Sequence, residues 1–236
     1  MVCIGLLVSN ANATTKLTAQ SWLVSDIHGN IIQSENADQQ RSIASITKLM
    51  TVMVVLDSKQ DLTETFKFKN TTVSRHDLIN LALVHSDNKA AQALCEYYIG
   101  GLPNCIRNMN HKAVRLGLTK TKYVDPTGLG IFNVSTASEL VTIVKTASNY
   151  PEIVTASKMS DVRIKIKRKW LVFKNTNPII GKRHEFIISK TGYISASGGC
   201  IVMMLNTDIG SRIVIVLGSK NTRTRIPEAE FISSLK

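Results

Sequence analysis

The 236-residue sequence has no apolar run approaching the roughly 18–20 residues of a spanning helix, which argues against an integral membrane protein. Cysteine is sparse: there are four, none in a CxxC pair, and no histidine stands at zinc-finger spacing. No metal site is therefore expected. The GxSxG elbow of the α/β-hydrolases is absent, and so is the HExxH of zinc peptidases. His28, His76, His85, His111 and His184 thus have no motif that would make one of them the base of a Ser-His-Asp triad. There is no internal repeat, low-complexity tract or long linker. Acidic residues are few, 17 against 29 Lys plus Arg, for a net charge of +12. Such a balance suits an anionic partner or surface, whether nucleic acid, phospholipid headgroups or an acidic wall polymer.

What is present is ordinary for a globular chain. Apolar residues make up 44% and charged residues 19%, so wholesale disorder is excluded. Val2 to Val8 form a short apolar run, followed by Ala11-x-Ala13, a small-x-small cleavage pattern. Residues 1–13 read as the end of a secretory signal peptide without its basic n-region, and residues 14–236 as one domain. Export would make a Cys95–Cys105 disulfide plausible, since the two flank the helix-breaking Gly100-Gly101. Two separate buried thiols fit the same spacing. Cys200, in an apolar run, reads as a small core residue.

Ser21–Val24 and Ile31-Ile32 around His28-Gly29-Asn30 predict an antiparallel hairpin. Residues 45–57 are apolar on more than one face, which predicts a buried central helix. Further helices are expected over 74–85 (Ser74 and Asp77 marking its start), 88–98, 104–116 and, with Ser135 as N-cap, 135–147. Residues 162–173 alternate apolar and basic and read as one strand, with Val162, Ile164 and Ile166 facing the core. Strands follow at 186–190, 199–206 and 212–218, then a helix from Arg225. Consecutive strands with short connections must be antiparallel. The expected class is α+β, an antiparallel sheet flanked by helices with a helical lobe.

Three short motifs carry chemistry. Ser45-x-x-Lys48 places a hydroxyl and an amine on one helix face, one turn apart. A serine needs a base to become a nucleophile, and a desolvated lysine can be that base. Ser86-Asp87-Asn88 lies between two helices, where a hydroxyl and a carboxamide can enter a cleft. Lys190-Thr191-Gly192 ends an apolar strand segment. Its Lys and Thr can hold a carboxylate, and its Gly lets a substrate backbone approach the strand. Each motif alone equally suits a helix cap or a strand end.

In this order the three resemble the signature of penicillin-binding proteins and class A β-lactamases. Residues 42–51 (SIASITKLMT), 81–91 (LALVHSDNKAA), 124–129 (VDPTGL), 133–137 (NVSTA) and 173–177 (FKNTN) extend the resemblance over about residues 20–220. They are most similar to low-molecular-weight penicillin-binding proteins, the serine D-alanyl-D-alanine carboxypeptidases and endopeptidases. The resemblance implies Ser45 as acylated nucleophile, Lys48 as its base and Ser86 as proton relay. It implies that Asn88, Lys190 and Thr191 hold substrate, with Gly192 beside them, and that the N–H groups of Ser45 and Tyr193 form an oxyanion hole. Asp87 is given no chemistry. It further implies a periplasmic or secreted protein without cofactor, acting on peptidoglycan and inhibited by β-lactams. Residues 62–73 stand in place of a longer excursion beside the cleft, so the choice of substrate is open there. A β-lactamase would need an added glutamate, and Glu96, Asp125, Glu139, Glu152 and Asp161 do not fit its loop pattern. Nucleic-acid binding by Arg163, Lys165, Lys167, Arg168 and Lys169 has no accompanying recognition motif. A peptidoglycan-binding pseudoenzyme remains the non-enzymatic alternative.

Overall fold

A computed structural model describes residues 17–166 and 168–236. The expected signal segment, residues 1–13, lies outside the described residues.

Strands β1 (Ser21–Asp26) and β2 (Ile31–Glu35) form the N-terminal hairpin, turning at Gly29 with φ +95°. The short β3 (Arg41–Ser42) leads into a 3₁₀ turn (Ala44–Ile46) and α1 (Thr47–Asp57). A small hairpin, β4 (Thr65–Phe68) with β5 (Thr71–Ser74), precedes α2 (Arg75–Val84), α3 (Asn88–Glu96) and α4 (Gly101–Arg115). Then come β6 (Val134–Ser135), which pairs with β3, and α5 (Ala137–Ala147) and α6 (Pro151–Lys158). The chain ends with β7 (Asp161–Ile166), β8 (Lys169–Lys174), β9 (Glu185–Ile194), β10 (Gly198–Thr207), β11 (Gly210–Ser219) and α7 (Arg225–Ser233).

The principal sheet is antiparallel, in the order β2-β1-β11-β10-β9. Successive side chains of a strand point to opposite faces, so each inner strand feeds two cores. Leu23, Val202, Met204, Ile213, Ile215 and Leu217 pack towards α1 and the other helices. Trp22, Val24, Met203, Val214 and Val216 pack against Ile226, Ala229 and Ile232 of α7. Helix α1 is buried on every side, from Thr47 to Val55, and is the centre of the helical layer. The α+β class with a flanked antiparallel sheet is as the sequence implies. None of the helices among the described residues is long and apolar enough to cross a membrane.

Ser74 caps α2 with a full capping box: its hydroxyl accepts from Asp77 N, and the Asp77 carboxylate accepts from Ser74 N. Three expectations are corrected. The N-cap of α5 is Thr136, whose hydroxyl accepts from Glu139 N at 3.1 Å. Thr136-x-x-Glu139 has the capping-box spacing that Ser135 lacks, and Ser135 sits in β6 instead. Helix α4 starts at Gly101, three residues before the expected 104, because Gly100 (φ +79°) and Gly101 (φ +72°) complete the turn between them. Residues 162–173 form two strands, not one. The basic run after Ile166 breaks the alternation, the chain turns, and Arg163 pairs with Val172 and Lys165 with Trp170.

Cys95 and Cys105 are joined in a disulfide that ties the end of α3 to the start of α4. Cys200 is free and buried. Closing a loop of ten residues limits the unfolded chain, and chain-entropy arguments put its worth at about 2–3 kcal/mol. The double variant Cys95→Ala/Cys105→Ala is therefore expected to unfold at lower urea concentration, by about that free energy, in an equilibrium titration. An unchanged midpoint would show that the bridge does not contribute to stability.

Candidate active site

The site lies where the start of α1, the α2–α3 junction, the 125–129 loop and strand β9 meet. Ser45 is in the 3₁₀ turn that opens α1, and Lys48 follows one turn later. Ala44 before the serine has φ +45°, and Ser86 has φ +59°. Non-glycine residues in this region cost about 1–3 kcal/mol each and persist where the surroundings over-determine them. Both flank or bear the hydroxyls of the site.

Lys48 is buried and has three oxygen neighbours. Its Nζ lies 2.8 Å from Ser45 Oγ, 2.7 Å from Asn88 Oδ1 and 2.7 Å from the Thr127 carbonyl. Burial pushes its pKa down to about 7, against the smaller opposing pull of Asp125 and Asp87. A neutral amine has two N–H donors and one lone pair. Asn88 Oδ1 and the Thr127 carbonyl can only accept, so they take both donors. The lone pair is then left for the Ser45 hydroxyl proton. In the neutral form, the acceptor pair thus turns the amine's lone pair toward Ser45 Oγ.

Lys190 is fully buried in β9 and donates to Ser86 Oγ at 2.9 Å and to its neighbour's carbonyl, Thr191 O, at 2.9 Å. Its pKa is held well below the usual lysine value by burial, with the nearby Lys48 and Arg225 adding to the effect. The motif does not end its strand, as expected from sequence; β9 runs on to Ile194. Gly192 is consequently a strand glycine, and its place has a steric reason. A Cβ there would come within 3.0 Å of Ser45 N and of Ile43 O. The strand edge thus lies directly against the turn that bears Ser45. Arg225 from α7 donates to Gly192 O at 2.7 Å and fixes the peptide. Thr191 donates to Thr176 Oγ1 at 2.6 Å, and Tyr193 is exposed beyond it.

The structure therefore gathers Ser45, Lys48, Ser86, Asn88, Lys190, Thr191 and Gly192 in one place. Asp87 instead caps α3 through Ala90 N (2.9 Å) and pairs with Lys69 at 3.0 Å. Residues 124–129 carry part of the family resemblance without an assigned role in it. Here Asp125 Oδ1 accepts from Thr127 N, Thr127 Oγ1 and Gly128 N, at 2.6–2.8 Å. That turn aims the Thr127 carbonyl at Lys48. Gly128 (φ +76°) packs on the Ala44 carbonyl, which a Cβ would overlap at 1.9 Å. The loop itself is legible in the sequence as Asp125-Pro126-Thr127-Gly128, an Asx-turn pattern; its contact with Lys48 is not. Asn133 ties it to α1 through Thr47 Oγ1 at 3.1 Å.

The family model described as D-alanyl-D-alanine carboxypeptidase matches residues 8–67 and 59–221. A D-alanyl-D-alanine endopeptidase of Escherichia coli is 36% identical over 221 residues, 84% of this chain and 71% of that protein. One of Pseudomonas aeruginosa is 35% identical over 234 residues, 91% of this chain and 76% of that protein. Among solved structures, a penicillin-binding protein of Listeria monocytogenes in its ampicillin-bound form superposes with a TM-score of 0.83. It is 25% identical, over 93% of this chain and 97% of that one. A Streptomyces DD-transpeptidase has a TM-score of 0.85 at 24% identity, over 92% and 96% of the two chains, and shares the fold.

Proposed function

The chain belongs to the D-alanyl-D-alanine carboxypeptidase family of serine peptidases, and on that premise we propose that Ser45, Lys48, Ser86, Asn88 and the Lys190–Tyr193 strand cleave D-Ala peptide bonds of peptidoglycan. The observation that carries the residue roles is the three-oxygen surround of buried Lys48, whose pKa burial lowers to about 7.

The reaction has two halves. Lys48 Nζ takes the Ser45 hydroxyl proton as Oγ attacks the D-Ala carbonyl carbon. The carbonyl oxygen becomes an oxyanion against the N–H groups of Ser45 and Tyr193. The C–N bond then breaks, and the amine leaves with a proton delivered from Lys48 by way of Ser86, which Lys190 orients. In the second half a water gives a proton to Lys48 and its oxygen attacks the ester carbon. Ser45 departs and recovers its proton. Asn88 positions the substrate amide. A substrate carboxylate near Lys190 and Thr191 would raise the lysine's pKa and draw a proton onto it.

Endopeptidase action on D-Ala-diaminopimelate cross-links is the favoured form, supported by the two endopeptidase relatives. The disulfide and the wall substrate support a periplasmic or secreted location, with residues 14–236 as one catalytic domain. The test is intact-mass spectrometry with benzylpenicillin, then digestion of cross-linked muropeptides. A lasting adduct and conversion of dimers to monomers are expected. Loss of terminal D-Ala alone would make it a carboxypeptidase. Fast antibiotic turnover would favour a β-lactamase, and neither adduct nor turnover a pseudoenzyme.

A further inference from the structure

The register of the β7–β8 hairpin sorts its side chains onto two faces, since residues directly opposite in an antiparallel pair point the same way. Val162 stands opposite Phe173 and Ile164 opposite Leu171. Val162 and Ile164 are buried in the helical core, and Phe173 packs against it. The other face carries Arg163 beside Val172 and Lys165 beside Trp170, with Asp161 and Lys174 at its base. Nothing covers this face: Trp170 is 65% and Val172 54% exposed, and Arg163, Lys165 and Lys174 are exposed as well. Asp161 lies 3.8 Å from Arg163, a loose pairing. Lys165, Lys169 and Lys174 have no ion-pair partner among the described residues.

The hairpin stands at the rim of the site. At its base the His85 ring meets Phe173 edge-on, with centroids 5.3 Å apart, and His85 Nδ1 donates to Lys174 O at 3.0 Å. The chain runs on to Thr176, whose N–H donates to Val84 O at 3.1 Å and whose hydroxyl accepts from Thr191. A ligand on the hairpin is thus held close to the α2–α3 junction that bears Ser86. Cations in one strand beside apolar side chains in the next suit a polymer with both carboxylates and flat apolar surfaces. Arginine and lysine take carboxylates, an indole covers the C–H face of a sugar ring, and Trp and Arg dominate such contacts. We propose that the outer face of the β7–β8 hairpin binds the peptidoglycan polymer itself, Trp170 against a sugar ring and Arg163 and Lys165 on carboxylates of its peptides. The inference rests on the proposed DD-peptidase reading and deepens it, because it gives the enzyme a hold on the wall outside the cleft. The net charge of +12 complements an acidic polymer in the same sense. A lipid surface fits the face less well. Arg168 and Lys169 are exposed at the turn, ahead of Trp170, whereas insertion between lipids needs apolar residues to lead.

The test compares wild type with Trp170→Ala, the double variant Arg163→Glu/Lys165→Glu and the triple variant. Co-sedimentation with insoluble peptidoglycan is measured in a Ser45→Ala background, so that the polymer is not cut. Hydrolysis of a soluble cross-linked muropeptide dimer and acylation by benzylpenicillin are measured with Ser45 intact. The triple variant is expected to bind the polymer about tenfold or more weakly. Its dimer hydrolysis and acylation should stay within about twofold, because those small ligands are held in the cleft. Added salt should weaken polymer binding by wild type and by Trp170→Ala, and not by the double variant. Unchanged sedimentation of the triple variant, or an equal loss of acylation, would overturn the docking face. So would tighter binding of wild type to anionic phospholipid vesicles or to duplex DNA than to peptidoglycan. Hairpin-dependent polymer binding by a protein that shows neither adduct nor dimer cleavage would instead overturn the DD-peptidase reading and support the face. An unchanged thermal midpoint reports that each variant is folded.

Discussion

Ser45→Ala is expected to give no penicillin adduct by intact mass and to lose about 10⁴-fold or more in D-Ala cleavage. The reason is covalent. Alanine removes the atom that attacks, and no other hydroxyl lies within hydrogen-bond distance of Lys48 among the described residues. Water could use the same base, but it would have to enter without the orientation that the 3₁₀ turn gives Oγ. The substitution removes one oxygen from a partly exposed side chain, so the fold should be little affected. Retained thermal stability, together with retained binding of an intact muropeptide, would separate loss of chemistry from loss of structure. An adduct of unchanged mass on the alanine variant would place the nucleophile elsewhere.

Lys48→Arg is expected to lose about 10³–10⁴-fold, although it keeps the charge and much of the length. A guanidinium stays protonated and has no lone pair for the Ser45 proton. The wild-type pH profile should show the same dependence. With the amine's pKa held to about 7 by burial, the active neutral form is the minority below that pH and dominates above it. The acylation rate should therefore rise about tenfold per pH unit below 7 and level off above it. The residual rate of the arginine variant should lack that rise. A wild-type rate that stays flat from pH 5 to 9 would mean that Lys48 is not the titrating base. Moving one hydrogen-bond partner tests the same geometry: Asn88→Asp places a carboxylate against the amine and should shift the rise to higher pH.

The pairing of Ser45 with Lys48 is legible in sequence because the two sit one helical turn apart, where local periodicity already dictates proximity. The hairpin of β1 and β2, the buried α1 and the capping box at Ser74 were legible for the same reason: each is a short-range pattern. Residues 162–173 form two paired strands where alternation predicts one, because alternation counts residues and does not register a turn until the phase breaks. Ser135 and Thr136 offer competing hydroxyls in the sequence, and only the backbone shows that Thr136 places Glu139 at the third helical position.

The sequence by itself determined the chemical groups: one serine, two lysines, the serine and asparagine of the α2–α3 junction, and a glycine in the strand. The tertiary structure decided how they act on each other. Residue 48 meets residue 127, and residue 86 meets residue 190, across the fold. The N-terminal hairpin completes a sheet made from the C-terminal strands. Lysine pKa values fall because packing removes water, and burial depends on contacts between segments far apart in the chain. The β7–β8 hairpin stands beside the site for the same reason, since only folding brings Phe173 against His85 and Thr176 against Thr191.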